Sequence, residues 1–121
     1  MNNDYKVAIV GGRDFTDYER LVDDMDILRS SLDYPNIIIV CGEARGADLL
    51  GRRYGEELGF EVESFPAEWD KFGKSAGYRR NVDMAVRADR VLAYWDGKSK
   101  GTKHMIDIVT KKGKELWVRS Y

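Results

Sequence analysis

A chain of 121 residues is long enough to bury one core of ordinary size without metal or disulfide staples. Its 20 basic and 21 acidic residues leave a net charge of −1, which argues against general nucleic-acid binding, since that needs an excess of basic surface to displace counterions. A single cysteine, a single histidine, a polar start at Met1-Asn2-Asn3-Asp4 and no apolar run near ~20 residues exclude an internal disulfide, a cysteine/histidine zinc cluster, a signal peptide and a membrane-spanning helix.

The expectation is therefore one globular domain over residues 1–121, soluble and cytoplasmic, with no metal and no resident cofactor. Apolar content of 43% against 34% charged residues of both signs fits a folded rather than a disordered chain.

Residues 5–10 read as a strand that runs straight into Gly11-Gly12-Arg13-Asp14-Phe15. Thr16, with Glu19 three residues on, fits a helix N-cap, and Leu21, Met25, Leu28 and Leu32 then recur at helical spacing. Pro35-Asn36 punctuates the chain, and residues 37–40 form a β-branched run of the kind buried on both faces of a parallel sheet. The turn Cys41-Gly42-Glu43-Ala44-Arg45-Gly46-Ala47-Asp48 follows and leads into a helix over residues 46–58. Ala47, Leu50, Tyr54 and Leu58 lie on one face of that helix, and Gly59 just past its end.

Residues 61–65 alternate polar and apolar, as expected of a strand near a sheet edge. The connection 66–77 shows no obvious element, and connections of that length usually serve a site, so it reads as an active-site or ligand-covering loop. Helix is expected over 80–87, a fourth strand over 90–94, and a third glycine turn over 95–102. A last helix with Met105, Ile108 and Val109 inward and a short strand over 115–118 complete the chain. Five strands alternating with four helices call for a Rossmann-like α/β domain with a parallel sheet and right-handed crossovers. Placing the alternating third strand and the short fifth at the edges gives the order 3-2-1-4-5, with a ligand crevice at the switch point between strands one and four.

Three glycine turns meet at that point, and each carries a basic side chain: Arg13, Arg45, and Lys98 with Lys100. Backbone N–H groups at helix starts, joined to the planar fork of arginine, match a phosphate or diphosphate. The candidate ligand-binding residues are Gly11, Gly12 and Arg13 in the first turn and Gly42, Arg45, Gly46 and Asp48 in the second. Trp69, Arg80 and Asn81 come from the long connection and the helix after it, and Asp96, Gly97, Ser99, Gly101 and Thr102 from the third turn. Arg79 reads as a solvated helix face. Neither G-x-G-x-x-G nor the P-loop pattern is present, which excludes an ordinary dehydrogenase or P-loop ATPase.

Glu43, Asp14, Asp48 and Asp96 are the carboxylates that could bind a ribose hydroxyl or act as acid or base, with Glu43 first and Asp14 second as catalytic candidates. Asp48 has a plain alternative as a cap or ion-pair partner at its helix start. Trp69 and Trp95 could stack on a base, although packing is the commoner use of tryptophan. His104 and Cys41 read as structural, because neither has a candidate catalytic partner.

Gly12-Arg13-Asp14-Phe15, the segment Gly42-Glu43-Ala44-Arg45-Gly46-Ala47-Asp48, Phe65-Pro66-Ala67-Glu68-Trp69, Gly73-Lys74-Ser75-Ala76-Gly77-Tyr78-Arg79-Arg80-Asn81 and Asp96-Gly97-Lys98-Ser99-Lys100-Gly101-Thr102 together resemble the small YspA-like branch of the SLOG superfamily. The resemblance implies a Rossmann-like domain that binds nucleotides or nucleotide-derived signals such as NAD or ADP-ribose derivatives, often in bacterial and phage conflict systems. The superfamily also includes the lonely-guy phosphoribohydrolases, which cleave the base from a nucleoside monophosphate with an arginine and a glutamate. Against their signature P-G-G-x-G-T-x-x-E, Gly101-Thr102 fit and the glutamate falls at Met105. Arg80 is similar to their arginine, with Asn81 where a lysine is usual.

The expectation is a module that binds a nucleotide-like small molecule as sensor or sequestering protein. The rivals are a nucleotide N-glycosidase or phosphohydrolase using Glu43 or Asp14, and an interaction domain with a vestigial crevice. Homodimerisation is left open, as it is common among the lonely-guy relatives.

Overall fold

A computed structural model of the chain describes residues 4–33 and 36–121, so the expected break at Pro35 lies outside the described residues. The strands are β1 (Asp4–Gly11), β2 (Asn36–Cys41), β3 (Glu61–Ser64), β4 (Arg90–Trp95) and β5 (Glu115–Ser120). The helices are α1 (Tyr18–Ser30), α2 (Ala47–Glu57), α3 (Trp69–Phe72), α4 (Ala76–Arg87) and α5 (Lys100–Lys111). All strand pairs are parallel, and the sheet order is β3-β2-β1-β4-β5, as the sequence pattern predicts.

Period-two alternation sends the central strands into two cores. Val7, Ile9, Ile39, Leu92 and Tyr94 face Leu21, Met25 and Leu28 of α1 and Ala47 and Tyr54 of α2. On the opposite face Ala8, Val10, Val40, Val91 and Ala93 meet Met84 and Ala85 of α4 and Met105 and Val109 of α5. Each fully buried side chain of this size contributes roughly 1.5–3 kcal/mol from water exclusion. Burial on both faces explains why β1, β2 and β4 carry near-continuous apolar runs.

Local readings are corrected at three places. The N-cap of α1 is Asp17 rather than Thr16, because the Asp17 carboxylate accepts from the Arg20 amide at 3.1 Å. Leu58 does not belong to the buried face of α2, being 44% exposed. Gly51 and Gly55 take that place, since a Cβ at either would lie 2.8 Å from Ile9 or 2.7 Å from Val62. These mid-helix glycines cost helix propensity of about 1 kcal/mol each, and in return the helix approaches the sheet closely. Finally, the connection 66–77 is folded: α3 and a 3-10 turn, Gly73–Ser75, lead directly into α4, which begins at Ala76. A four-residue helix leaves no periodic pattern to read.

Lys114 extends from the loop before β5 to the end of α4, where its ammonium donates to the carbonyls of Ala85, Val86 and Ala88 at 2.7–2.8 Å. That cation satisfies carbonyls left open at the helix C-terminus. Among the described residues no helix is long and apolar enough to cross a membrane.

Candidate functional site

Order reversal between β1 and β4 opens a crevice at the carboxyl ends of the strands, where the structure holds a cleft of about 530 Å³. That volume suits a nucleotide-sized molecule. Gly11, Gly12, Arg13 and Asp14 form the wall from the first turn, and Asp48 the wall from the second. Trp69 comes from α3, Arg80 and Asn81 from α4, and Asp96, Ser99, Gly101 and Thr102 from the third turn. Gly42, Glu43, Arg45, Gly46 and Gly97 are not among the lining residues, and Glu43 and Arg45 are exposed.

The second turn does something other than present free amides. Its Ala47 N–H donates to Gly12 O at 3.2 Å and its Ala44 N–H to Asp48 Oδ2 at 3.3 Å, so two donors expected to face a phosphate are used within the protein. Gly46 has φ of 78°, and a Cβ there would lie 2.2 Å from Gly12 O. Glycine is thus required both by the left-handed conformation and by the close approach of the two turns. Gly42 leaves room of another kind: a Cβ would lie 2.2 Å from Arg80 Nη1 and 2.4 Å from Asp48 Oδ2. The turn is a buttress that sets the first turn and the Asp48/Arg80 pair in place.

Arg80 is 15% exposed at its side chain and faces the cleft with several acceptors around it. Its Nη1 donates to Phe65 O and its Nε to Asn81 Oδ1, each at 3.3 Å, while Asp48 Oδ2 stands 3.9 Å away. Burial pushes the Asp48 carboxyl up to about 6, against the opposing pull of Arg80, the Ala44 amide and Arg13. Asn81 ties the walls together by donating from Nδ2 to Gly101 O at 3.1 Å and to His104 Nδ1 at 3.4 Å. That acceptor role requires the neutral imidazole, and burial lowers the His104 pKa accordingly.

The third turn is preorganised. Asp96 Oδ1 accepts from the amides of Lys98 and Ser99 at 2.8 Å each, which holds its carboxyl below the usual range. Ser99 caps α5 by accepting from the Thr102 amide at 3.4 Å, and Trp95 Nε1 is fastened to Ser99 O at 3.1 Å. Trp95 therefore braces the turn and does not line the cleft. The start of α5 opens on the cleft through Ser99, Gly101 and Thr102, as an anion-binding helix end does. In the first turn Asp14 accepts from the Tyr121 hydroxyl, which lies over Gly12.

Lining residues that the sequence did not single out are Ala44, Lys74, Gly77, Tyr78, Met84 and Val10, with Met105 also in the wall. Lys74 adds a cation from the 3-10 turn. Tyr78 packs on the His104 ring at 4.4 Å between centroids, and the half-exposed Trp69 lines the same cleft. The glycine-flanked segment around Lys74 was the available signal, but its contribution depends on a helix too short to be seen in the pattern. Among the described residues no group of three or more His, Cys, Asp or Glu is placed to hold a metal ion.

A family model for the "YspA, cpYpsA-related SLOG family" matches residues 5–72, the stretch that carries the first two turns and α3. Over 118 residues the chain is 35% identical to the "Gene 61 protein" of Mycobacterium phage D29, covering 89% of this chain and 90% of that protein. No solved structure gives a significant match. Its doubly wound sheet, its switch-point cleft and these matches agree: the chain belongs to the YspA, cpYpsA-related SLOG family.

Proposed function

We propose that this protein binds a nucleotide-derived molecule of the NAD or ADP-ribose type and holds it intact, as a sensor or sequestering module in the cytoplasm of a phage-infected or phage-defended cell. Family membership supports a nucleotide-derived ligand in general. The observation that carries the finer reading is the make-up of the cleft: Arg13, Arg80 and the start of α5 supply the anion side, while Met84 and Met105 supply an apolar wall. Met105 stands where the resembling phosphoribohydrolases carry their glutamate, and a thioether can neither protonate a departing base nor stabilise a ribosyl cation. The reading requires no metal ion or other cofactor.

Trp69, 53% exposed at the rim, is suited to stack on the base. Asp14 lines the cleft whereas Glu43 does not, so the alternative reading, a nucleotide N-glycosidase or phosphohydrolase, would now rest first on Asp14.

Calorimetric titration with NAD, ADP-ribose and nucleoside monophosphates, followed by mass spectrometry of each mixture, tests both readings. Binding with the ligand recovered unchanged supports the sensor, and released base or phosphate overturns it. Arg80→Ala is expected to weaken binding by about a hundredfold, the scale of a lost charge-assisted arginine contact to phosphate. Trp69→Ala should cost about 1–3 kcal/mol of binding and little stability, in line with base–aromatic stacking. If both variants bound like the wild type, the site would be misplaced.

A further inference from the structure

Asp48 is an unexpected neighbour for a bound anion. Its side chain is 7% exposed, and its Oδ2 lies 3.9 Å from Arg80 Nη1, outside hydrogen-bond reach. Arg80 therefore meets the cleft already facing a carboxylate. Any phosphate that pairs with Arg80 adds a second negative charge beside the first, and two anions sharing a buried site disfavour each other's ionised form. Gly42 packs on both groups and Asn81 accepts from the Arg80 Nε at 3.3 Å, so the two side chains are held side by side in the cleft wall.

We propose that Asp48 takes up a proton when an anionic ligand binds at Arg80, so that the pair couples ligand affinity to pH. The proposal rests on the nucleotide-ligand reading above and adds to it a regulation of the same cleft.

The groups around Asp48 leave it as the one to titrate. Arg80 faces it from α4 and Arg13 from the first turn, and guanidinium groups stay charged near neutral pH. Cys41, at the end of β2, is held as a thiol because burial pushes its pKa up. Its own turn contributes the Ala44 amide and the outward Glu43. His104 of α5 is linked to the pair through Asn81 and is a second titratable group to be controlled for. In the unliganded protein the carboxyl stands at about 6, so a further rise on binding falls near neutral pH. Protons are then taken up, and affinity falls as pH rises through that interval.

The probe is ADP-ribose, whose diphosphate does not titrate near neutral pH. Calorimetry in two buffers of different ionisation enthalpy counts protons, and titrations from about pH 6 to about pH 8 measure the slope of affinity. Wild type is expected to take up a proton on binding and to bind about tenfold more weakly at the upper pH. Asp48→Asn should bind without proton uptake, with a flat profile, and at least as tightly as wild type at about pH 8. His104→Gln should keep the wild-type slope.

Binding by wild type without proton uptake overturns the proposal, as does a slope that survives Asp48→Asn or vanishes in His104→Gln. Should Asp48→Asn fail to fold, the proton counts of wild type and His104→Gln decide. Failure of ADP-ribose to bind would count against the ligand reading alone, and the same titrations with inorganic sulfate would then decide the role of Asp48. Absence of binding by both probes overturns both readings.

Discussion

Asp24 and Asp48 are both buried carboxylates with an arginine nearby, and the fold treats them in opposite ways. Asp24, on α1, is 3% exposed, and its Oδ2 accepts from the Tyr94 hydroxyl at 2.8 Å and from Arg119 Nε at 3.2 Å. Asp48, at the start of α2, has a long 3.3 Å contact from Ala44 N and an arginine at 3.9 Å. The first is a satisfied network that joins α1, β4 and β5. The second is a charge removed from water without full compensation, at the wall of the cleft. Incompletely satisfied polar groups are costly in a low-dielectric interior, and folds tolerate them chiefly at functional sites.

Neutralising each acid in turn separates the two environments. Asp24→Asn weakens a well-made acceptor for Tyr94 and Arg119 and should destabilise the protein by about 3 kcal/mol, less than a wholly buried pair because Arg119 is partly exposed. A shift of the urea midpoint measures it, and a change under about 0.5 kcal/mol would mean that Asp24 is no better compensated than Asp48.

Asp48→Asn should act with the opposite sign. The folded-state pKa of about 6 lies above the ordinary value of 3.8, so the native state holds the proton to higher pH than the unfolded chain does. The contribution of Asp48 is thus fully present below about pH 4 and is lost as pH rises through about 6, leaving a penalty of about 3 kcal/mol near pH 8. Replacing it with asparagine should stabilise the protein by about 2 kcal/mol at that pH and change little near pH 4. Denaturation at the two values checks this, and equal effects at both would show that the burial of the charge is not what matters.

A smaller effect is expected from Gly42→Ala. The added methyl meets Arg80 Nη1 and Asp48 Oδ2, and the flexible arginine gives way first. A stability loss of about 1 kcal/mol, with a several-fold loss of ADP-ribose affinity, would follow from displacing the guanidinium. Intact affinity would mean that Arg80 reaches the ligand from another position.

Much of the architecture is legible in the sequence alone. The β-branched run at Ile37, Ile38, Ile39 and Val40 marked a strand buried on both faces, and the alternation of Glu61, Val62 and Glu63 marked an edge. With strand, turn and helix repeating, the sheet order and the gathering of three turns followed from topology rules. Gly51 and Gly55 were not legible as packing residues, since what they admit, Ile9 and Val62, is distant in sequence. Neither was α3, whose single turn is held by the Glu68 carbonyl accepting from the amides of Lys71 and Phe72.

The sequence by itself determined that this chain is a parallel α/β domain of the SLOG kind, because period and glycine position are local properties. What the glycine turn at Cys41 to Asp48 does with its amides was decided only by tertiary structure. Its donors are taken by Gly12 O and by Asp48, partners that a local pattern does not specify. The meeting of Asp48 with Arg80, 32 positions later in the chain, is likewise a product of two separate crossovers ending at one switch point. Burial then sets the proton affinity of Asp48, and burial belongs to the folded assembly of elements and to no single segment.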